Sequence, residues 1–411
     1  MWVGPDRTDA PANEIDNRRT DELALMRVLF LTHNYPRTVG DASGSFILRL
    51  AKALKAEDVE VRVVAPASAG AADHETVDGI SVDRFHYAPK KYETLAYGGN
   101  MATQIQDSWG ARVKLLGFMG SEFSCAVRAR RAFDPHVLHA HWWFPNGLVG
   151  TWTARMADRP LVTTLHGTDV RLARTVAFSR PGFRHVLQHS AAVTAVSQFL
   201  ADETRDIVSG PVPTVSPMPV ATDLFSPGGK RDSGRILFVG RLNAQKGIEI
   251  LLRALSLTTS GAILDVVGDG ADEPRLRGLA GELDVADRVR WIGALPQQKL
   301  TEYYRSATAL VVPSVNEGLG LVAVEAQLCE TPVIAFNSGG LSDVVQNDRT
   351  GILVSEITAG ALAAAIDSLF ARPARGANLG AAGRLHALAT FAPESVARRY
   401  AQLYRSVART T

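Results

Sequence analysis

Cysteine is nearly absent from this sequence. Of the 411 residues only Cys125 and Cys329 are cysteine, and no cysteine or histidine cluster has the spacing of a zinc site. Neither a disulfide framework nor a structural metal is therefore expected. The composition fits a reducing cytoplasm, which is the predicted location.

Long apolar runs and an excess of one charge are also missing. No apolar run approaches the roughly 20 residues that cross a bilayer, and residues 1–20 lack the apolar core of a secretory signal. The 44 Lys and Arg residues nearly balance 42 Asp and Glu residues, so no nucleic-acid partner is expected. We expect residues 1–25 to form a disordered tail, with Met26 rather than Met1 as the natural start.

The sequence does contain a repeated alternation of short apolar runs and longer amphipathic segments. Such alternation predicts right-handed crossovers and parallel sheets covered on both faces by helices. The length suits two α/β domains of this kind. The predicted strands are Val28–Thr32, Val59–Ala65, Val137–Ala140, Leu161–Leu165, Ala192–Val196, Arg235–Val239, Ile263–Gly268, Val289–Ile292, Ala309–Pro313 and Pro332–Ala335.

A segment rich in proline and glycine, residues 212–230, divides the alternation into two halves. This composition is typical of an interdomain linker. We predict a first domain over residues 26–215, a linker over 216–230 and a second domain over 231–392. The helical tail, residues 393–411, is assigned to the first domain.

A loop with two cations follows the first predicted strand of the second half. Gly240 and Arg241 open this loop, and Lys246 and Gly247 close it. An Arg grips phosphate oxygens through two parallel hydrogen bonds and a Lys adds a point charge, so the pair suits a diphosphate. The alternative is an ordinary solvated basic loop.

Two glutamates, Glu317 and Glu325, stand eight positions apart around a glycine-containing turn. Main-chain amides of Gly318–Leu321, at the predicted helix start, suit a phosphate. Glu325 then lies where it accepts hydrogen bonds from sugar or ribose hydroxyls. The alternatives are a capping role for Glu317 and a surface ion pair for Glu325, but a Glu before Gly-x-Gly is more than capping requires.

The first half contributes three loops at predicted strand ends. Gly44 allows a close approach of the backbone to a ligand, although a plain strand–helix turn is the alternative. His166 is a catalytic candidate because Gly167 exposes it, and Glu317, Arg241 and Lys246 of the second half are the others. His139 is interpreted as a buried, hydrogen-bonded histidine. The low-ranked acceptor contacts are His141, Trp142 and Asp169. For Trp142 and its aromatic neighbours, packing between helices is favoured over stacking on an acceptor.

Taken together, these loops resemble the family 4 glycosyltransferases of the GT-B fold, over roughly residues 26–406. The most specific part is Glu317 with Glu325, which matches the E-x7-E motif of retaining members. Gly240-Arg241-Leu with Lys246-Gly247 matches the family's diphosphate site, and His166-Gly167 matches its His-Gly loop.

The resemblance implies a role for each matching residue. Arg241 and Lys246 hold the donor diphosphate, Glu317 the donor sugar and Glu325 the ribose, while His166 lies beside the reacting end of the sugar. The remaining donor contacts are expected through the main chain, at Gly44, Gly240, Gly268, Gly293, Gly318, Leu319, Gly320 and Leu321.

The implied function is retaining transfer of a sugar from a UDP- or GDP-sugar to a hydroxyl of a glycan, lipid-linked or small-molecule acceptor. No Asp-x-Asp triad is present, so neither a metal nor another cofactor is expected. A nucleotide-sugar epimerase and a non-catalytic scaffold remain the alternatives. Basic segments at 90–91 and 128–131 suggest a possible peripheral contact with acidic phospholipid, although solvated surface is the favoured interpretation.

Overall fold

The protein folds as two α/β domains, each built on a largely parallel sheet. The computed structural model describes residues 25–41, 43–68, 70–97, 101, 104–105, 108–232 and 234–409. The predicted tail therefore lies outside the described residues, apart from its last residue. The predicted fold class is confirmed.

In the described part of the chain the first sheet has eight strands in the order β3-β4-β2-β1-β5-β6-β7-β8. β3 pairs antiparallel with β4, and the sequence did not predict this hairpin. Its turn residues Asp78 and Gly79 both have positive φ, as a type I′ turn between two strands requires. The strands are β1 (Met26–Leu31), β2 (Val59–Pro66), β3 (His74–Val77), β4 (Ile80–Phe85), β5 (Val137–His141), β6 (Leu161–Leu165), β7 (Ala192–Ala195) and β8 (Thr214–Val215).

Helices cover both faces of the first sheet. Successive residues of β1 point to opposite faces, so Phe30 packs with the cluster that contains the first helix, whereas Leu31 packs with Phe118 of the second. Within the described ranges, no helix has the length and apolar character needed to cross a membrane. The helices of this domain are α1 (Ser45–Leu54), α2 (Trp109–Phe133), α3 (Leu148–Ala157), α4 (Thr168–Thr175), α5 (Arg180–Gln188) and α6 (Gln198–Ile207).

The second sheet has the order β11-β10-β9-β12-β13-β14. Its strands are β9 (Arg235–Val239), β10 (Ile263–Val267), β11 (Val289–Gly293), β12 (Ala309–Val312), β13 (Val333–Phe336) and β14 (Gly351–Val354). Its helices are α7 (Ile248–Leu257), α8 (Glu273–Glu282), α9 (Gln297–Ser306), α10 (Leu321–Leu328), α11 (Leu341–Val344), α12 (Ala359–Phe370) and α13 (Pro373–Phe391). The order reverses between β9 and β12, as it does between β1 and β5 in the first sheet, and crevices for ligands form at such switch points.

Two segments join the domains, and both are packed. In the predicted linker Phe225 is fully buried, with its ring 5.6 Å from that of Tyr304. The last helix, α14 (Pro393–Ala408), lies on the first domain, where the Tyr404 hydroxyl is 2.7 Å from His139 Nδ1. The proline-rich segment is therefore an ordered connection and not a loose tether.

A buried polar chain ties α2 to the switch point of the first sheet. Asn146 Nδ2 donates to Glu122 Oε1 at 2.6 Å, and Asn146 Oδ1 lies 2.7 Å from His33 Nδ1. Burial raises the pKa of Glu122 to about 8 and lowers the pKa of His33 to about 4. At neutral pH the chain therefore links a protonated carboxyl group to a neutral imidazole.

The buried carboxyl of Glu122 should make stability depend on pH. Its folded-state pKa of about 8 lies above the ordinary value of 4.5, so its contribution is complete below the ordinary pKa and is lost as the pH rises through the folded pKa. We expect the Tm of the wild type to fall relative to that of Glu122→Gln between about pH 5 and about pH 9, measured by scanning calorimetry.

The matched control for this experiment is Glu282→Gln, which makes the same chemical change on the exposed surface of α8. Its Tm difference from the wild type should show no such trend. A constant difference between Glu122→Gln and the wild type across the range would contradict the protonated state of Glu122.

Candidate active site

A cleft of about 930 Å³ lies between the domains, at the carboxyl ends of the central strands. The first domain contributes aromatic, histidine and arginine side chains, and the second contributes the two loops that follow β9 and β12. The lining residues that bear on the predicted site are Phe46, Trp142, His166, Gly167, Arg171, Arg174, Glu203, Arg241, Lys246, Glu317, Gly318, Leu319, Gly320 and Leu321.

An ion pair joins the two loops of the second domain. Lys246 Nζ lies 2.6 Å from Glu317 Oε2, and the two side chains are 21% and 15% exposed. Gly247 makes this approach possible: its φ is +69°, and a Cβ atom there would lie 2.0 Å from the carbonyl oxygen of Pro313 at the end of β12. The Asn243 side chain fixes the same loop by accepting a hydrogen bond from the Lys246 amide.

Arg241 presents a cation to the cleft beside this ion pair. Its side chain is exposed, and it has no hydrogen-bond or ion-pair partner among the residues that the structure describes. Since Glu317 already balances the charge of Lys246, the two loops together leave one positive charge uncompensated. This arrangement favours an anionic ligand.

The predicted glycine contacts lie at adjacent strand ends. The Gly240 amide donates to the Val267 carbonyl and the Gly268 amide to the Gly293 carbonyl, at 3.0 and 2.9 Å. A Cβ atom on Gly268 would lie 1.9 Å from the Gly240 carbonyl oxygen, so the strand ends approach each other closely. These glycines and Gly44, which precedes α1, lie outside the described lining of the cleft.

The helix after Glu317 begins at Leu321, with Gly320 as its N-cap and no side-chain cap. The capping interpretation of Glu317 is therefore wrong, because its carboxylate pairs with Lys246 instead. The main chain here also meets the first domain, since Ser197 Oγ donates to the Gly318 carbonyl at 2.6 Å. Residues 318–321 thus line the cleft beside the domain contact.

Glu325 is buried inside the second domain and is 7% exposed. Its carboxylate accepts hydrogen bonds from Gln297 Nε2 and from the Tyr304 hydroxyl, both at 2.8 Å. Burial raises the pKa of Glu325, while these hydrogen bonds and the charge of Arg49 act in the opposite direction. The surface ion pair considered from the sequence is therefore excluded.

His166 lies in the cleft wall, within a cluster of aromatic rings. Its ring centroid is 4.2 Å from that of Trp142, and its Nε2 is 3.1 Å from His141 Nδ1. Burial holds the pKa of His166 well below its usual value, and the neighbouring His141 and His33 lower it further. At neutral pH His166 is therefore an uncharged imidazole. Trp142 both packs against it and lines the cleft.

The tautomer of His166 follows from its neighbour. His141 is fully buried, and among the described atoms its Nε2 has no hydrogen-bond partner. Buried N–H groups without a partner are rarer than buried lone pairs without one, so we infer that His141 Nδ1–H donates to His166 Nε2. His166 then carries its own proton on Nδ1.

Two predicted acceptor contacts are corrected by the structure. His141 is buried behind His166, and Asp169 is 4% exposed. Asp169 Oδ1 accepts hydrogen bonds from the main-chain amides of His166, Gly167 and Val170, so it shapes the loop, and it lies outside the described lining of the cleft. His139 is buried with both ring nitrogens hydrogen-bonded, which confirms its interpretation.

Sequence reasoning missed the contacts that hold the domains together at the cleft. Besides the Ser197 contact, the Gln198 amide at the start of α6 donates to Asp343 Oδ1 of the second domain at 2.8 Å. It also missed Arg171, an exposed cation on the first-domain wall. These residue types are common on surfaces, so no local pattern distinguishes them.

Comparison with known proteins gives two family models that match in succession. The model described as Glycosyltransferase Family 4 matches residues 43–222, and Glycosyl transferases group 1 matches residues 221–386. D-inositol 3-phosphate glycosyltransferase 2 of Catenulispora acidiphila is 30% identical, over 93% of this chain and 94% of that protein. The D-inositol 3-phosphate glycosyltransferase of Thermomonospora curvata is 32% identical, over 85% and 87%.

Solved structures share the two-domain architecture. Sucrose-phosphate synthase from Thermosynechococcus elongatus superimposes with a TM-score of 0.79 at 27% identity, over 94% of this chain and 100% of that one. HepE from Anabaena, in complex with UDP and glucose, gives a TM-score of 0.69 at 18% identity, over 93% and 100%. The matched relatives, the family models and the two facing sheets all indicate the same family. The chain is a member of the group 1, family 4 glycosyltransferases of the GT-B fold.

Proposed function

We propose that this enzyme transfers a sugar, with retention of anomeric configuration, from a nucleotide diphosphate sugar to a hydroxyl group, without a metal ion. The observation that carries the proposal is Arg241, whose side chain has no partner among the described residues, beside the Lys246–Glu317 ion pair at the start of α10. Here a cation, an oriented carboxylate and a helix start without a side-chain cap line one cleft.

The donor diphosphate is assigned to the second-domain wall. Cleavage of the glycosyl–phosphate bond moves negative charge onto the diphosphate, and preorganised donors stabilise such charge best. Arg241, Lys246 and the amides of residues 318–321 supply these donors. Glu317, held by Lys246, keeps one oxygen free to accept hydrogen bonds from hydroxyls of the donor sugar.

The nucleoside is assigned to the strand ends near Gly268 and Gly293, with the ribose hydroxyls on Glu325. In the structure Gln297 and Tyr304 each donate to one oxygen of the buried Glu325 carboxylate, and we propose that the Gln297 amide moves aside when the ribose binds. UDP is the proposed nucleotide and GDP the rival. The fold is shared with HepE, which was solved with UDP.

Same-face substitution is the proposed route to retention. A double displacement needs a free carboxylate beneath the anomeric carbon. Of the described residues that line the cleft, the carboxylates are Glu203 and Glu317, and both are paired, with Arg174 and Lys246. In the proposed step the bond from the anomeric carbon to phosphate oxygen breaks, the acceptor oxygen bonds on the same face, and its proton passes to the departing phosphate.

The acceptor is assigned to the first-domain wall, and we propose that it is a small polyol or sugar that carries a phosphate. Arg171 lines this wall as an exposed cation, next to the paired Arg174. Relatives at 30% and 32% identity are named for D-inositol 3-phosphate. We place the enzyme in the cytoplasm, where buried free thiols such as Cys125 and Cys329 persist.

Replacing Arg241 with Gln should weaken binding of the free nucleoside diphosphate by about ten- to a hundred-fold, because a hydrogen-bonded cation is lost from the diphosphate. Isothermal titration with UDP, GDP and ADP measures this loss and identifies the base. Arg372→Gln is the control, since Arg372 is exposed in the same domain but outside the described cleft lining. Equal affinities for all variants would refute the diphosphate site.

Incubation of the enzyme with the donor it binds best and D-inositol 3-phosphate should give a glycoside of unchanged anomeric configuration. Proton NMR of the anomeric signal follows the product, and mass spectrometry of the intact enzyme should detect no covalent sugar adduct. An inverted product or a trapped adduct would overturn same-face substitution. Isomerised donor without transfer would indicate an epimerase, and unchanged donor a scaffold.

Activity should be the same in the presence and absence of EDTA, because side-chain cations and amides take the place of a divalent metal at the diphosphate. Steady-state rates with dialysed enzyme provide the measurement, and a metal-dependent transferase assayed in parallel confirms that the chelator is effective. Loss of activity that added Mg²⁺ or Mn²⁺ restores would show that the proposal of metal independence is wrong.

A further inference from the structure

An apolar stripe runs along the solvent side of α2. Trp109, Val113 and Leu116 are 75%, 49% and 72% exposed. Their spacing of three and four residues places them on one face of the helix. Large apolar side chains exposed singly are ordinary, but a contiguous set of them marks an interaction site.

The neighbouring helix extends this stripe. Trp152 and Met156 of α3 are 47% and 54% exposed and stand one helical turn apart. The Trp152 ring lies edge-on to that of Phe123 of α2, with centroids 6.4 Å apart. The two helices therefore present one surface, the α2–α3 face, defined by Trp109, Val113, Leu116, Trp152 and Met156.

Basic residues accompany the α2–α3 face. α2 carries five of them, while its one acidic residue, Glu122, is fully buried. Lys114 Nζ donates to Thr94 Oγ1, which brings the basic segment 90–91 close to the same helix. The basic residues of α2 are Arg112, Lys114, Arg128, Arg130 and Arg131. A single helix is thus more basic than the whole chain, whose formal net charge is +2.

The position of α2 places this face beside the cleft. α2 connects β4 to β5, which belong to one parallel set. A crossover helix runs antiparallel to the strands it connects, so Trp109, Val113 and Leu116 lie toward the carboxyl ends of the strands. The cleft opens at those same ends.

We propose that the α2–α3 face docks on an anionic lipid bilayer, with its apolar side chains in the headgroup region and its basic side chains on lipid phosphates. Apolar side chains combined with surrounding cations are the features that interfacial binding requires. A second copy of the chain fits less well. A two-fold contact would place the same basic helix against itself, and like charges disfavour such a contact.

Flotation with lipid vesicles, with no donor present, tests this docking. The full-length protein should bind vesicles of equal parts phosphatidylcholine and phosphatidylglycerol, and bind pure phosphatidylcholine vesicles much more weakly. Leu116→Ser should weaken binding to the anionic vesicles by about ten-fold, because an apolar side chain is lost from the interface. Arg131→Gln should weaken it by about five-fold.

Leu385→Ser is the matched control, since Leu385 is also 72% exposed but lies on α13 of the second domain. It should bind vesicles like the wild type. Three results would each overturn the proposal. They are an absence of vesicle binding, equal losses of vesicle binding for Leu116→Ser and Leu385→Ser, and self-association without lipid that Leu116→Ser abolishes. Nucleotide titration of the same samples tests the donor site separately. Failure of the docking proposal is therefore distinguishable from failure of the proposed donor site.

Discussion

The ion pair between Lys246 and Glu317 is the contact on which the arrangement of the cleft depends. Both side chains are less than a quarter exposed, and their contact distance is 2.6 Å. A pair of this kind contributes more to orientation than to folding free energy, since desolvation offsets much of the attraction. It forms because β9 and β12 are neighbours at the switch point of the second sheet, which joins loops 71 residues apart in sequence.

Both walls of the cleft carry an exposed cation, Arg241 on the second domain and Arg171 on the first. His166 on the first-domain wall is uncharged, because burial among other rings lowers the pKa of this imidazole. In the proposed reaction the sugar gains positive charge as the diphosphate gains negative charge. A neutral imidazole does not repel that sugar, while Arg241 and Lys246 stabilise the leaving group.

Composition was misleading at the connection between the domains. The prolines and glycines of residues 212–230 predicted a linker, and the segment does join the two sheets, yet Phe225 is fully buried against Tyr304. Proline and glycine report which backbone angles a segment adopts, not whether other elements cover it. Contacts such as those of Ser197 and Asp343 involve residue types common on surfaces, so they leave no local signal.

The sequence by itself determined the α/β class, the division into two halves and the separate loops that carry His166, Arg241 and Glu317, because apolar periodicity and glycine placement are local properties. Only the tertiary structure decided how these loops meet. It paired Glu317 with Lys246, enclosed Glu325 between Gln297 and Tyr304, and buried His141 and Asp169. Strand order and domain packing fix those partners, and both depend on contacts between residues far apart in the chain.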